Sequence, residues 1–446
     1  MNSIEIQDWL CLIVQFACLL FMVIRELRKS EAKNLLLILV TTTILALVQM
    51  QTLWMFLKFE TVSGRITHIN QTISLAAAKN ANVFVMLFVI AYCAVAYRVD
   101  CLSNFKRNDV AIEGPVEAQL TYAAIAVWVL VGGFLLTALA GGIVAAISNP
   151  GQSIAGQTFL LILVSIGKVP LARKIALRRA ITVPDVVLYG TTFSLLLINS
   201  RFLAAYSVVQ LALVFHYRRK EASPKIILGL GAALVTIFIV FGLYRETAYA
   251  RSIAPGFDTT SYIQKSVSSG DAFDWFYAKN VEGFAGLAGI MTFESDTGGI
   301  NHDYGYSNLQ LVNQLIPNNL RTDPDLPFQA FSEELRKAYP YHGSVVPSGL
   351  EASYAHFGVV GIIALGLLLG YLVMQIHRLL LAANESAVTA SLVSVHVLSL
   401  VREMFVTATF FALGEIFIVV CYHKVLECTA NQSVFAPESA GLPPLN

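Results

Sequence analysis

Runs of about 20 apolar residues recur along this chain of 446 residues, and they restrict its fold more than any other feature. A run of that length forms a helix that crosses the hydrocarbon core of a bilayer, which is about 30 Å thick. Only 13% of the residues are charged and 56% are hydrophobic, whereas about a quarter of a soluble protein is charged. The sequence therefore predicts an all-α, polytopic integral membrane protein.

Hydropathy divides the chain into eleven candidate spans and one long hydrophilic segment. The spans cover approximately 8–24, 34–57, 76–97, 119–147, 157–172, 183–200, 202–216, 225–244, 356–376, 386–401 and 403–422. We expect transmembrane helices 1–8 within residues 1–244, a large external loop with surface helices at 245–355, transmembrane helices 9–11 within 356–425 and a cytoplasmic tail at 426–446. A loop as long as 245–355 is usually functional.

Basic residues fall on alternate loops and so orient the spans. More than half of the 30 Lys and Arg residues follow odd-numbered spans. They are Arg25, Arg28, Lys29 and Lys33 after span 1, Arg98, Lys106 and Arg107 after span 3, Arg173, Lys174, Arg178 and Arg179 after span 5, Arg218, Arg219, Lys220 and Lys225 after span 7, Arg378 after span 9, and Lys424 after span 11. Because loops rich in Lys and Arg stay in the cytoplasm, the N-terminus is predicted outside and the C-terminus inside.

Four arginines lie at or near the external ends of spans, on the side where basic residues are disfavoured. Arg245 and Arg251 begin the external loop directly after span 8, in the stretch GLYRETAYARSIAPGF. Arg201 and Arg402 separate span 6 from span 7 and span 10 from span 11. One interpretation is that each arginine ends a span by extending to the membrane interface. The other is that the four converge into a cationic site for phosphate, which the planar guanidinium group binds well.

Four stretches, taken in order, resemble the O-antigen and capsular repeat-unit polymerases and, more distantly, the O-antigen ligases. The resemblance covers about residues 180–425. INSRFLAA at 198–205 resembles a Ser-Arg hairpin, RETAYARSIAPG has an Arg-x10-Gly spacing from Arg245 to Gly256, QLVNQLIPNNLR has an Ile-Pro pair before Arg321, and SGLEASYAHFGVVGIIALG resembles a segment that re-enters the membrane after the loop.

This resemblance implies a GT-C-like glycosyltransferase at the periplasmic face of the bacterial inner membrane. Such an enzyme polymerises oligosaccharide repeat units linked to undecaprenyl pyrophosphate, and no metal, cofactor or nucleotide is implied. Its further partners are membrane lipid and a chain-length-regulating co-polymerase, with no nucleic acid. The residues implied to hold the pyrophosphate are Arg201, Arg245, Arg251, Arg321 and Arg402, and those implied to contact glycan or loop are Tyr354 and His356.

The ligase branch differs from this sequence at one position of its motif. That motif is a histidine, then Asn, Ser or Gln, then nine residues and Gly-x-x-Gly. Ser348, Gly358 and Gly361 fit its register, but Pro347 stands at the histidine position. The departure favours a polymerase over a ligase and leaves the catalytic base open.

Histidines and carboxylates of the external loop are the candidates for that base. A histidine suits proton transfer near neutral pH, and a carboxylate can accept a hydroxyl proton or bind sugar. We take His342, the nearest histidine upstream of the motif, and Glu282 as the first candidates. The alternatives are His302, His356, Glu294 and Asp296.

Several other side chains and segments are predicted to have structural roles. Within the spans, we expect Lys168 to extend to the interface and His396 to pack against polar neighbours. In the external loop, residues 271–291 and 327–340 are predicted to form helices that lie on the outer surface with one apolar face down.

Two other functions remain open at this point. A ligase would pass the finished glycan to a lipid A core. A flippase or transporter would need polar sites at the middle of the membrane and usually two similar halves. The sequence shows neither of these transporter features.

Overall fold

The computed structural model describes residues 4–29, 33–62, 73–102, 154–177, 179–199, 201–218, 229, 283–300, 302, 304, 348–381, 386–402 and 405–434. Within these ranges every regular element is helical. The helices are α1 (Ile6–Arg28), α2 (Leu35–Ile44), α3 (Met50–Val62), α4 (Leu75–Leu102), α5 (Ile154–Ala176), α6 (Val183–Asn199), α7 (Arg201–Arg218), α8 (Gly283–Thr297), α9 (Gly349–Leu381), α10 (Ser386–Arg402) and α11 (Phe405–Val434). A π-helical turn, Leu45–Gln49, joins α2 to α3.

The helices coincide with nine of the eleven predicted spans, and the spans at 119–147 and 225–244 fall almost entirely outside the described residues. Four stretches of the described part are long and apolar enough to cross a membrane, namely Ile6–Arg28, Leu35–Leu57, Leu75–Asp100 and Gly349–Leu381. They indicate a membrane-embedded protein. Helix α10 ends at Arg402 and helix α7 begins at Arg201, the two positions where the sequence predicted breaks between spans.

The chain divides into two compact units. Unit 1 comprises Met1–Arg107, Glu221–Leu381 and Ser394–Thr409, and unit 2 comprises Asn108–Lys220, Ala382–Val393 and Phe410–Asn446. Unit 1 therefore contains α1–α4, α8 and α9. Unit 2 contains α5–α7 and most of α11.

In unit 1, glycines allow α9 to approach α4 closely. A Cβ atom at Gly366 would lie 2.5 Å from the Phe88 carbonyl oxygen, and one at Gly370 would lie 2.7 Å from that of Tyr92. Both distances are too short for a side chain. Two small residues four apart are the pattern that brings membrane helices into backbone contact.

Polar side chains join α1 to α4 in the middle of α1 and near the C-terminal ends of both helices. Gln15 Nε2 donates to Asn82 Oδ1 at 2.8 Å within the buried contact. Near the last turns of both helices, Asp100 pairs with Arg25 at 2.7 Å and with Lys29 at 2.8 Å. Arg25 and Lys29, which orient span 1 in the sequence, therefore also hold these helices together.

Helix α8 is inserted into unit 1 by its N-terminus. Gln51 Oε1 accepts hydrogen bonds from the backbone N–H groups of Phe284 at 2.8 Å and Ala285 at 3.1 Å. These are among the donors that the first turn of a helix leaves without an internal partner. All residues of α8 from Gly283 to Thr292 are buried, so the prediction of a surface helix with one apolar face is wrong for this stretch.

In unit 2, an ion pair lies in the interior of the helices. Lys168 of α5 is fully buried, and its Nζ contacts Glu415 of α11 and lies 2.6 Å from Gln210 Oε1 of α7. Gln210 Nε2 donates to the other carboxylate oxygen of Glu415 at 2.6 Å. The prediction that Lys168 extends to the membrane interface is therefore wrong, because its charge is neutralised in place.

Candidate functional site

Gly358 interrupts α9, because its backbone conformation is not helical. Its φ of 62° and ψ of −146° lie in a region that is open essentially to glycine alone. The residues on either side are helical, so α9 consists of a short segment, 349–357, and a long apolar segment, 359–381. The predicted span began at 356, within the short segment and not at its start.

The short segment begins with a reciprocal cap. Glu351 N–H donates to Ser348 Oγ at 3.2 Å, and Ser348 N–H donates to Glu351 Oε2 at 3.2 Å. This is the capping box that a Ser-x-x-Glu sequence predicts. The Glu351 carboxylate is buried and fills the space beside Gly286 of α8, where a Cβ atom would overlap it. The cap therefore also fixes the short segment against α8.

A tyrosine–carboxylate pair joins the short segment to α8 a second time. The Tyr354 hydroxyl donates to Glu294 Oε2 at 2.5 Å. The Tyr354 side chain is buried, and its ring centroid lies 5.7 Å from that of Phe84. Glu294 is half-buried near the end of α8, so its carboxylate borders both the protein and the exterior.

His302 lies over the interruption of α9. Its Nδ1 is 2.9 Å from the carbonyl oxygen of Ala355. A carbonyl oxygen only accepts, so Nδ1 carries the proton and Nε2 of the neutral ring carries a lone pair. A Cβ atom at Gly358 would lie 3.3 Å from Nε2, so the absence of a side chain there leaves room beside this nitrogen. The ring meets Tyr354 edge-on at 6.0 Å.

His356, predicted to contact glycan or loop, has a different environment. Its side chain is 4% exposed, so the ring lies in the interior of unit 1. Its backbone carbonyl accepts from the N–H of Tyr304 at 3.2 Å. Tyr354 is also buried. Contact of either ring with a glycan stays a prediction, and both residues hold neighbouring groups in place.

Most of the other predicted site residues lie outside the described part. These are Arg245, Arg251, Arg321, Glu282 and His342. Arg201 begins α7 and Arg402 ends α10, but their side chains lie outside the description as well. The convergence of the arginines therefore stays a prediction.

The structure brings together residues that were separate candidates in the sequence. Glu294 and His302, both weighed as alternative bases, meet the short segment of α9 at Tyr354 and Ala355. No motif in the sequence distinguishes Tyr304 and Phe357, whose rings lie 6.4 Å apart beside this cluster. Together these groups offer a proton acceptor, a carboxylate that can bind hydroxyl groups, and aromatic surface.

The chain matches no protein-family model. It has no match among curated proteins or among solved structures.

Proposed function

We propose that this chain is an integral membrane glycosyltransferase that polymerises oligosaccharide repeat units linked to polyprenyl pyrophosphate. The proposal includes about eleven spans, a GT-C-like arrangement, and action at the outer face of the bacterial inner membrane. The observation that carries it is the interruption of α9 at Gly358, because His302 and the Tyr354–Glu294 pair meet there at one end of a long apolar helix.

In this proposal the donor is the growing glycan on its undecaprenyl pyrophosphate carrier. Its anomeric carbon is transferred, and the lipid pyrophosphate leaves with the electron pair of the broken bond. Arg201, Arg245, Arg251, Arg321 and Arg402 are assigned to the pyrophosphate. Positioned cationic donors stabilise the negative charge that develops on a leaving group, and losing one such donor typically costs about 10²–10³-fold in rate.

The acceptor is a sugar hydroxyl of the incoming repeat unit. The lone pair on His302 Nε2 is suited to take its proton, because the Ala355 carbonyl fixes the other ring nitrogen as a donor. Tyr354 engages Oε2 of Glu294 and so orients the carboxylate. We assign Oε1 of Glu294 to a hydroxyl group of the acceptor sugar.

The experiment combines a deletion strain with the purified protein. Without the gene, lipid carrying a single repeat unit should accumulate, and complementation should restore polymer. Purified protein in lipid nanodiscs should extend lipid-linked repeat units and release polyprenyl pyrophosphate. Failure of the wild-type protein to form polymer in both settings would refute the proposal.

Gly358→Ala tests the interruption itself. An alanine there meets backbone strain of about 1–3 kcal/mol and places its Cβ against His302. We expect loss of polymer at matched expression. Gly298→Ala is the matched control, because Gly298 also has a positive φ, 83°, but no atom lies within 4 Å of its Cβ position. Polymer formation should survive in this control.

One observation also favours a ligase as a second candidate. The ligase motif requires a histidine where this chain has Pro347, but the structure brings His302 to Gly358, the first glycine of that motif. A deletion strain discriminates the two functions, since a missing ligase leaves finished polymer on the polyprenyl carrier. A missing flippase would instead leave single units on the cytoplasmic side.

A further inference from the structure

Two exposed aromatic rings lie beside the candidate site. Tyr304 is 77% exposed and Phe357 is 45% exposed. Their ring centroids are 6.4 Å apart with an angle of 60° between the planes. The two side chains therefore form an open aromatic surface, which we call the ring pair.

The backbone holds Tyr304 in a strained conformation. Its φ is 52°, and it is the one residue other than glycine with a positive φ in the described part of the chain. Such a conformation is unfavourable for a residue with a side chain and persists where the surroundings impose it. Here the N–H of Tyr304 donates to the carbonyl of His356, the residue before Phe357. This hydrogen bond holds Tyr304 against the short segment of α9, next to its ring partner.

The groups around the ring pair favour a sugar over a lipid chain as its ligand. His302 precedes Tyr304 by two residues and presents Nε2 beside Gly358, the residue after Phe357. Glu294 approaches the same segment through Tyr354. A pyranose has an apolar C–H face for aromatic rings and hydroxyl groups at its edge for such polar neighbours. A membrane anchor requires only the rings.

We propose that the ring pair is the acceptor-sugar subsite, an assignment that rests on the function proposed above. The terminal sugar of the incoming repeat unit stacks on Tyr304 and Phe357, and its reacting hydroxyl points to His302. The hydroxyl oxygen bonds to the anomeric carbon of the growing glycan as the bond from that carbon to the pyrophosphate oxygen breaks. The hydroxyl proton passes to His302 Nε2, and the electron pair leaves with the lipid pyrophosphate.

The test compares variants that keep the ring with variants that keep only the apolar character. Tyr304→Leu and Phe357→Leu remove a ring, whereas Tyr304→Phe retains it. None of the three introduces a β-branched residue, which would add strain at the positive φ of position 304. Tyr371→Leu is the matched control, since Tyr371 is 50% exposed on the same helix, α9. The probe is an oligosaccharide from partial hydrolysis of the source strain's own surface polysaccharide, and its binding is followed by saturation-transfer NMR on protein in nanodiscs.

A pair of aromatic rings is worth about 0.5–1.5 kcal/mol beyond its buried area, and taking the same scale for a sugar face on a ring, we expect the leucine variants at 304 and 357 to weaken binding roughly two- to twelvefold. The KM for lipid-linked repeat units should rise by a similar factor. Tyr304→Phe and Tyr371→Leu should bind like the wild-type protein. Unchanged binding in Tyr304→Leu and Phe357→Leu, or equal loss in Tyr371→Leu, would overturn the subsite.

The same measurements separate this inference from the function on which it rests. Ring-dependent binding by a wild-type protein that forms no polymer would refute the polymerase and retain the sugar subsite. Polymer formation with unchanged binding and KM in the two leucine variants would retain the polymerase and refute the subsite. In that case the ring pair serves as a membrane anchor, for which leucine is an adequate substitute.

Discussion

The proposed chemistry depends most directly on the lone pair of His302 Nε2. In His302→Gln, the side-chain amide can still donate to the Ala355 carbonyl, but it cannot accept a proton. We therefore expect kcat to fall by about 10²–10⁴-fold, the usual worth of general base catalysis, while KM changes little. The measurement is polymer formation by purified protein in nanodiscs, with thermal unfolding as the check on folding.

His342→Gln provides the comparison, because His342 is the base that the sequence favours. His423→Gln, at a half-buried position within α11, serves as a control for the substitution itself. If His342→Gln loses activity and His302→Gln retains it, the catalytic base belongs to the residue nearest the motif. The role assigned here to His302 would then be wrong.

At the residue scale, local pairs could be predicted from the sequence and distant pairs could not. The Ser348–Glu351 cap follows from a Ser-x-x-Glu spacing within one helical turn. Glu294 and Tyr354 are 60 positions apart, and His302 and Ala355 are 53 apart. These contacts depend on the path of the chain between α8 and α9, about which hydropathy and short motifs contain no information. Nearness in sequence therefore selected His342 over His302.

At the element scale, apolar runs predicted the helices well because burial in lipid requires such runs. Their limits in α5, α6, α7 and α10 agree with the predicted spans within a few residues. The π-helical turn at Leu45–Gln49 lies inside one predicted span, 34–57, and hydropathy gives no sign of it. Helix α8 did carry a signal that was missed, since GFAGLAGIM is apolar on every side, as expected of a buried helix.

Gly370→Ala tests the packing of α9 on α4. The added Cβ would lie 2.7 Å from a backbone oxygen of α4, which cannot move aside as a flexible side chain can. We expect destabilisation of about 1–3 kcal/mol, the usual cost of overpacking. Thermal unfolding in detergent measures the effect.

Gly190→Ala in α6 is the matched control for this substitution. No atom lies within 4 Å of its Cβ position, so only helix propensity changes. Alanine is favoured over glycine within a helix by roughly 0.5–1 kcal/mol, so the variant should unfold at the wild-type temperature or above it. A stable Gly370→Ala protein would show that the two helices are less closely packed than described.

At the scale of the whole molecule, the distribution of basic residues predicts the topology. Cysteine introduced at Asp296, an exposed position of α8, should react with an impermeant maleimide in intact cells of a cysteine-free background. Cysteine at Ile181, which is 42% exposed between α5 and α6, should react only after permeabilisation. The opposite labelling pattern would place the site in the cytoplasm and exclude a periplasmic acceptor.

Substitutions in the buried ion pair of unit 2, Lys168–Glu415, test whether these charges serve function or only stability. A transporter would use polar groups among its spans, and Lys168, Gln210 and Glu415 form such a group in the described part of unit 2. If their role is structural, Lys168→Met should destabilise the protein by about 3–5 kcal/mol, because it leaves the Glu415 carboxylate buried without its cation. Lys168→Met/Glu415→Gln should recover most of that stability, since neither charge remains and Gln210 retains an acceptor.

Thermal unfolding and polymer formation at matched expression measure the two properties separately. We expect both to return together in the double variant, because the proposed acceptor groups, His302 and Glu294, belong to unit 1 and the ion pair belongs to unit 2. A double variant that is as stable as the wild-type protein but inactive would show that the charges act in function, and it would favour transport over glycosyl transfer.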